Sequence, residues 1–306
     1  MLNRIVRVSE KGWEYEPDQR HAELIVESLG LTSANAVTTP GEDEKKWEET
    51  ENQKPLDEEK TKRFRQIAAR ANYLATDRPD IMYAVKEACR HMASPTTGAW
   101  RMLKRIGRYL AGKPRTLLEY KWQGKETEVE GFSDSDWAGC RTTGKSTSAG
   151  ALLIGSHFLK GWSRTQNCVT MSSAEAELVA MVKLTAEVMG VLSMAKDWGE
   201  DMKGRVFADS SAALAISNRK GSGKLRHINI GLLWIQEKEA KEDVQFEKVD
   251  GKMNPADLMT KNLGRERSEQ HANRLGQRIA DGRAGQGLKL QRGFKEPRIL
   301  RVSVKG

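Results

Sequence analysis

Apolar residues recur along this chain with two different periods, and the places where the period changes divide it. Residues 2 to 7 alternate apolar and polar as a strand with one buried face does, and Gly12 turns the chain into Trp13-Glu14-Tyr15-Glu16, which predicts a hairpin. Ala22, Ile25, Val26 and Leu29 then fall at helical spacing, with Asp18 as a candidate cap before them and Gly30 where a helix ends. Between residues 40 and 60 apolar side chains almost vanish and charges dominate, the pattern of a solvated polar linker. From Thr61 the helical period returns in Phe64, Ile67, Ala68, Ala71 and Leu74. Pro79 suits the first position of a second helix, with Asp80 near its positive end and Ile81, Ala84, Val85 and Ala88 as its stripe. Pro95 opens a third, whose apolar side is Trp100, Leu103, Ile106 and Leu110.

Beyond Thr127 the period shortens to two. Val129 to Phe132, Thr147 to Ile154 and His157 to Trp162, punctuated by Gly139, Gly144 and Gly155, predict a three-stranded antiparallel meander. A helix follows from about Ser173 to Ala195, then a short strand ending at Asp209, a helix through Ala212, Ala213 and Ile216, and another from His227 to Ala240. A last strand, Val244 to Val249, and a helical turn or two from Pro255 to Lys261 complete the order βββαβα(α)βα. That order makes an α/β fold with a mixed sheet and flanking helices, and pattern alone leaves several such folds open.

Composition changes the picture in three ways. A length of 306 residues with 38% hydrophobic content allows two domains with ordinary cores, and a formal charge of +9 favours a polyanionic partner. Residues 264 to 306 hold eleven Lys or Arg against four Asp or Glu, so most of that charge sits in what reads as a flexible basic tail. On the third helix Arg101, Lys104, Arg105 and Arg108 fall on one face, which is a solvated face or a row of phosphate contacts. The three cysteines are odd in number and contain no C-x-x-C, which argues against a disulfide framework or a zinc knuckle and for a reducing compartment. No apolar run approaches the roughly 18 residues of a membrane span, so no membrane is expected.

The candidate chemistry lies in carboxylates. In Gly131-Phe132-Ser133-Asp134-Ser135-Asp136-Trp137-Ala138-Gly139 two aspartates at i and i+2 project from one face of a strand. Glu177 follows in Ser172-Ser173-Ala174-Glu175-Ala176-Glu177, Asp209 ends a strand, and Asp257 follows Asn254-Pro255-Ala256. Taken singly each has an ordinary structural role: Asp209 as a cap for the next helix, Asp257 as a partner of a helix dipole. Ser172-x-x-Glu175 fits a capping box, which leaves Glu177, about 200° around the helix, for chemistry. A competing motif, Gly139-Cys140-Arg141-Thr142-Thr143-Gly144-Lys145-Ser146, fits the phosphate loop of an NTPase. That loop needs a helix directly after it. Thr147 to Ile154 reads as a strand instead.

The S-D-x-D-W-A-G, S-S-x-E-A-E and A-D-x-x-T-K motifs, in this order, resemble the ribonuclease H domain of copia-type LTR retrotransposon Pol polyproteins, over roughly residues 1 to 263. The resemblance implies a truncated reverse-transcriptase palm end over 1–39, a polar linker over 40–60 and a helical thumb or connection over 61–122. A ribonuclease H domain, a mixed sheet with flanking helices, would span 123–263, and the basic tail 264–306. It implies that Asp134, Glu177, Asp209 and Asp257 hold two Mg²⁺ or Mn²⁺ ions and hydrolyse the RNA strand of an RNA–DNA hybrid. Arg101, Lys104, Arg105 and Arg108 would then contact the duplex, alongside the upstream palm and fingers of a full Pol, in the cytoplasm, in virus-like particles or in the nucleus. No Tyr-x-Asp-Asp polymerase pair occurs, so the chain is expected to begin inside the polymerase. His227 resembles a family position of unclear role, and the mobile histidine of cellular ribonucleases H has no counterpart in Val249 to Met253. The competing class is a degenerate remnant that keeps the fold and only binds nucleic acid.

Overall fold

The computed structural model describes residues 3–42, 54–140, 142–219 and 230–289. His227 and much of the predicted linker lie outside those residues.

Two sheets organise the chain. The predicted hairpin forms as β1 (Ile5–Ser9) and β2 (Gly12–Glu16), and β2 pairs with β3 (Thr116–Lys121). Four helices lie against one another between these strands: α1 (Arg20–Ser28), α2 (Glu58–Ala75), α3 (Pro79–Cys89) and α4 (Thr97–Gly112). Their stripes meet in one core around Ile25, Phe64, Ile81, Leu103, Ile106 and Leu110, so the segments on either side of the polar stretch fold together. α2 begins at Glu58, inside that stretch, because Asp57 accepts a hydrogen bond from the Lys60 amide at 2.8 Å and starts the helix early. α4 starts two residues later than Pro95 suggests, with Thr96 as its cap.

The second sheet contains β4 (Glu128–Asp136), β5 (Thr147–Ile154), β6 (His157–Thr165), β7 (Lys203–Ala208) and β8 (Val244–Lys248), in the order β6-β5-β4-β7-β8. β4, β5 and β6 are the antiparallel meander, while β7 and β8 run parallel to β4 and to each other. This is the ribonuclease H-like mixed sheet. One face is covered by α5 (Ser173–Asp197), α6 (Ser211–Ser217) and α7 (Ile230–Ala240), which bury Leu178, Met181, Leu184 and Val188 against Val129, Leu152 and Val206. Gly131 lets α5 approach β4: a Cβ there would stand 2.9 Å from Val188 and 3.1 Å from Leu184. The other face packs Phe132, Ala151, Leu153 and Phe158 against Met82 of α3, Leu118 of β3 and a 3-10 turn, Pro255–Met259.

Three expectations change, and one is met in an unexpected setting. First, α5 is long and apolar enough to cross a membrane, which no segment was expected to be. Its apolar character runs round the helix because Val179, Val182, Val191 and Leu192 also pack against the core that one face of it builds. Second, Asp80 lies in the first turn of α3 behind Pro79, as expected, but in a setting the pattern does not show. It is buried with Arg78, whose guanidinium donates to both its oxygens at 2.9 and 2.7 Å, and it also accepts from Tyr109 and Gln277. Third, residues 265–279, within the expected flexible tail, are ordered elements. They form α8 (Arg265–Arg274) and β9 (Gln277–Ile279), the latter pairing with β3, because His271, Leu275 and Gln277 turn inward under an arginine-rich surface. Fourth, two members of the basic α4 face are committed within the chain. Arg105 bonds Thr39 and pairs with Glu42, and Arg108 donates to the Asn35 carbonyl, while Arg101 and Lys104 are exposed. The segment before the polar stretch is thereby fastened to α4.

The NTPase alternative fails on the element that follows its loop. Lys145-Ser146 leads directly into β5, whose extended amides pair with β4 and β6 and cannot converge on a phosphate. Accordingly Lys145→Ala should leave ATP binding undetectable in both proteins by calorimetry, and micromolar binding lost in the variant would restore the NTPase reading.

Candidate active site

Parallel pairing brings the first two carboxylates together. Phe132 of β4 lies opposite Phe207 of β7, with their rings stacked at 4.8 Å. Asp134 and Asp209 each lie two residues further on, so both reach the same carboxyl end of the sheet at the same level. The supposed cap role of Asp209 belongs to Ser210, whose side chain accepts from the Ala213 amide at 3.2 Å. Gly251 packs against Asp209, where a Cβ would come 2.9 Å from its Oδ2.

Glu177 enters from α5. The helix starts at Ser172, which accepts from the Glu175 amide, and Glu175 reaches back to accept from the amide of Met171 at 2.8 Å. The capping box therefore closes one residue earlier than its usual form, and Glu175 is occupied by it. Glu177, on the buried side, accepts from both the amide and the hydroxyl of Ser135 through Oε1, at 3.0 Å each. Its Oε2 is buried without a hydrogen-bond partner.

One carboxylate oxygen from each of Asp134, Glu177 and Asp209 lies within 4.8 Å of the others. Burial raises all three carboxyls above their ordinary range, and the neighbouring carboxylates add to it. Asp134 is pushed up to about 7 and Glu177 to about 8. The opposing influence on Asp134 is chiefly the Lys261 ammonium, with a hydrogen bond from the Thr260 hydroxyl. The donor set is oxygen only, closely spaced, and includes a buried oxygen with nothing to bond, which fits a hard divalent cation such as Mg²⁺ or Mn²⁺.

Asp257 stands beside this trio and differs from it. Fully buried on the 3-10 turn that Asn254 caps, it is paired on both sides: Lys261 at 2.8 Å from Oδ1 and Arg267 of α8 at 2.6 Å from Oδ2. Asp136 is half-buried, with the cations Lys86 and Lys261 facing it, and it does not join the trio. Four contributors were not singled out from sequence. Thr260 and Lys261 belong to the same motif as Asp257, three and four residues on, a spacing that puts them on its face. Ser135 is flanked by the two aspartates. Arg267 carries no such signal, because only the packing of α8 brings it near.

No protein-family profile matches the chain. Among curated proteins it is 30% identical to the retrovirus-related Pol polyprotein from transposon RE1 of Arabidopsis thaliana and 28% identical to that from transposon RE2. Each match covers 216 residues, 70% of this chain and 15% of the relative. It is 26% identical over 269 residues to the corresponding polyprotein from transposon TNT 1-94 of Nicotiana tabacum, covering 86% of this chain and 20% of that one. The chain thus spans about 15–20% of the length of these relatives. Among solved structures, the N-terminal RNase H domain of a Mycobacterium tuberculosis protein, fused to maltose-binding protein, aligns at 16% identity and a TM-score of 0.30, over 48% of this chain and 97% of that one. Homologues of this chain thus include the retrovirus-related Pol polyproteins of plant transposons, the relationship that its three ordered motifs imply.

Proposed function

We propose that this chain hydrolyses the RNA strand of RNA–DNA hybrids with the help of divalent cations, as the ribonuclease H part of a retrotransposon Pol protein. The observation that carries the reading is the convergence of Asp134, Glu177 and Asp209 within 4.8 Å at one end of the sheet, with the Oε2 of Glu177 buried and unpartnered. Like charges about 4 Å apart at an effective dielectric near 20 repel by roughly 4 kcal/mol per pair, so such a trio is retained at a cost unless cations share it. Asp134, Glu177 and Asp209 are the residues that would hold the first ion, and Asp134 with Asp257 a second. Bound in this way, divalent ions activate a water and stabilise the leaving 3′ oxygen of a phosphodiester.

The protein's own part is to aim and fix these oxygens. Ser135 locks the rotamer of Glu177 through two hydrogen bonds, Thr260 fixes one oxygen of Asp134, and the packed Phe132 and Phe207 rings hold the two strand ends level. The net charge of +9, with Arg101 and Lys104 exposed on α4, suits a polyanionic duplex.

Incubation with end-labelled hybrid tests the reading. Cleavage should require Mg²⁺ or Mn²⁺, leave 5′-phosphate and 3′-hydroxyl ends, and be much slower on single-stranded RNA or duplex DNA. Cleavage persisting in EDTA, or equal rates on single strands, would refute it. Hybrid binding with no cleavage under any metal would favour the binding-only remnant.

A further inference from the structure

We propose that Lys261 is a tethered cation that occupies the place of the second divalent ion, and that it sets the affinity for that ion. The inference rests on the metal-dependent reading above and goes beyond it by naming the residue that makes the two ion positions unequal.

The geometry is specific. The Lys261 ammonium stands 2.8 Å from Oδ1 of Asp257 and 3.4 Å from Oδ2 of Asp134. It therefore bridges the two carboxylates that a second ion would have to share. It comes from one helical turn beyond Asp257, so the same short segment supplies a ligand and its counter-charge. The far side of Asp257 is closed by Arg267, which also donates to the Gly251 carbonyl at 2.8 Å and is anchored by it. Asp257 thus already has a cation beside each oxygen, although Lys261 pairs with Oδ1 without the angle of a hydrogen bond. The trio of Asp134, Glu177 and Asp209 is less balanced: Lys261 faces Asp134 and Asp209, Lys248 also faces Asp209, and an oxygen of Glu177 is left without a hydrogen-bond partner.

Two consequences follow. A first ion can enter the trio while Lys261 stays in place. A second ion between Asp134 and Asp257 must displace the ammonium, and Lys261 can leave, because its side chain is 40% exposed on a flexible four-carbon stem. Arg267 cannot substitute for it, since its guanidinium is held on the opposite oxygen of Asp257 by the Gly251 carbonyl. The second ion therefore binds in competition with a residue of the chain itself, and the site works with one resident ion until substrate or high metal brings the other.

The test counts ions on the full chain without substrate. Mn²⁺ is titrated into metal-free protein, and free Mn²⁺ is followed by its paramagnetic resonance signal, for the wild type, Lys261→Met, Lys261→Arg and the remote surface control Lys241→Met. The wild type should bind one ion, with the second at least about ten-fold weaker. In Lys261→Met the second ion should tighten by about ten-fold or more, with a smaller gain for the first, because the removed charge is nearer the second position. Lys261→Arg should restore the inequality, and Lys241→Met should leave both constants unchanged. Identical binding curves for the wild type and Lys261→Met would overturn the inference while leaving the metal site intact. Absence of Mn²⁺ binding in every protein would instead overturn the metal-dependent reading on which it rests.

Discussion

Glu177→Gln is expected to abolish nearly all hybrid cleavage while the metal-free protein melts at the same temperature or higher. The substitution keeps the oxygen that accepts from Ser135, so the side chain stays in place. It replaces Oε2, the buried oxygen without a partner, by an amide that donates to the neighbouring carboxylates instead of repelling them. Loss of a direct ion ligand should exceed the roughly 10–100-fold cost of removing a group that merely supports one. Glu175→Ala should behave in the opposite way. Its carboxylate accepts from the Met171 amide at the helix start and is not one of the trio, so its removal should cost about 0.5–1.5 kcal/mol of stability and leave most activity. Melting curves without metal, paired with cleavage rates in Mg²⁺, separate the two. Swapped phenotypes would mean that the glutamate at the ions has been misassigned.

What could be read from the sequence follows the range of the forces involved. The strands that lead to Asp134 and Asp209 are legible, and each aspartate lies two residues past a phenylalanine, so their convergence follows once β4 and β7 pair in parallel. Glu177 was separable from Glu175 because capping chemistry is local and has a fixed spacing. The rest was decided by distant packing. Asp80 is legible as a first-turn charge of α3, but its burial among partners that include Gln277, 197 residues away, is not. The last segment looked like a solvated tail because arginines dominate its composition. Their carbonyl and carboxylate partners, Gly251 and Asp257 for Arg267, become visible only once α8 docks. The apolar length of α5 was missed for a related reason: its apolar residues point in several directions, and only the fold shows that several of them reach neighbours. The basic face of α4 was legible as a face, yet not as the anchor of residues 35–42, which Arg105 and Arg108 hold in place.

The stability of the metal-free protein should fall as pH rises through the range where most proteins are indifferent, and Glu177→Gln should reveal it. The carboxyls of Asp134 and Glu177 titrate near about 7 and about 8 in the folded chain, against ordinary values of 3.8 and 4.5. Between these limits the folded state holds protons that the unfolded chain has already released. Stability is therefore greatest below the unfolded values and declines as pH rises through the folded ones, by up to roughly 1.4 kcal/mol per pH unit for each group. Other groups titrate in the same window with the opposite sign. His271 is held below its usual range by burial, and the Lys183 ammonium is lowered to about 8 for the same reason. Comparing the wild type with Glu177→Gln cancels them, because both proteins carry them. The melting temperature of the metal-free variant should exceed that of the wild type by little at pH 5.5, by an amount that grows up to about pH 8 and then levels off. Mg²⁺ should do to the wild type what the substitution does, since a cation that binds only the ionised carboxylates of the folded state stabilises more as protons leave. Its stabilisation should be small at pH 5.5, large at pH 8.5 and reduced in the variant. A difference between the two proteins that does not change with pH would show that the carboxylates of this site ionise normally, and that they crowd together without the mutual repulsion assigned to them here.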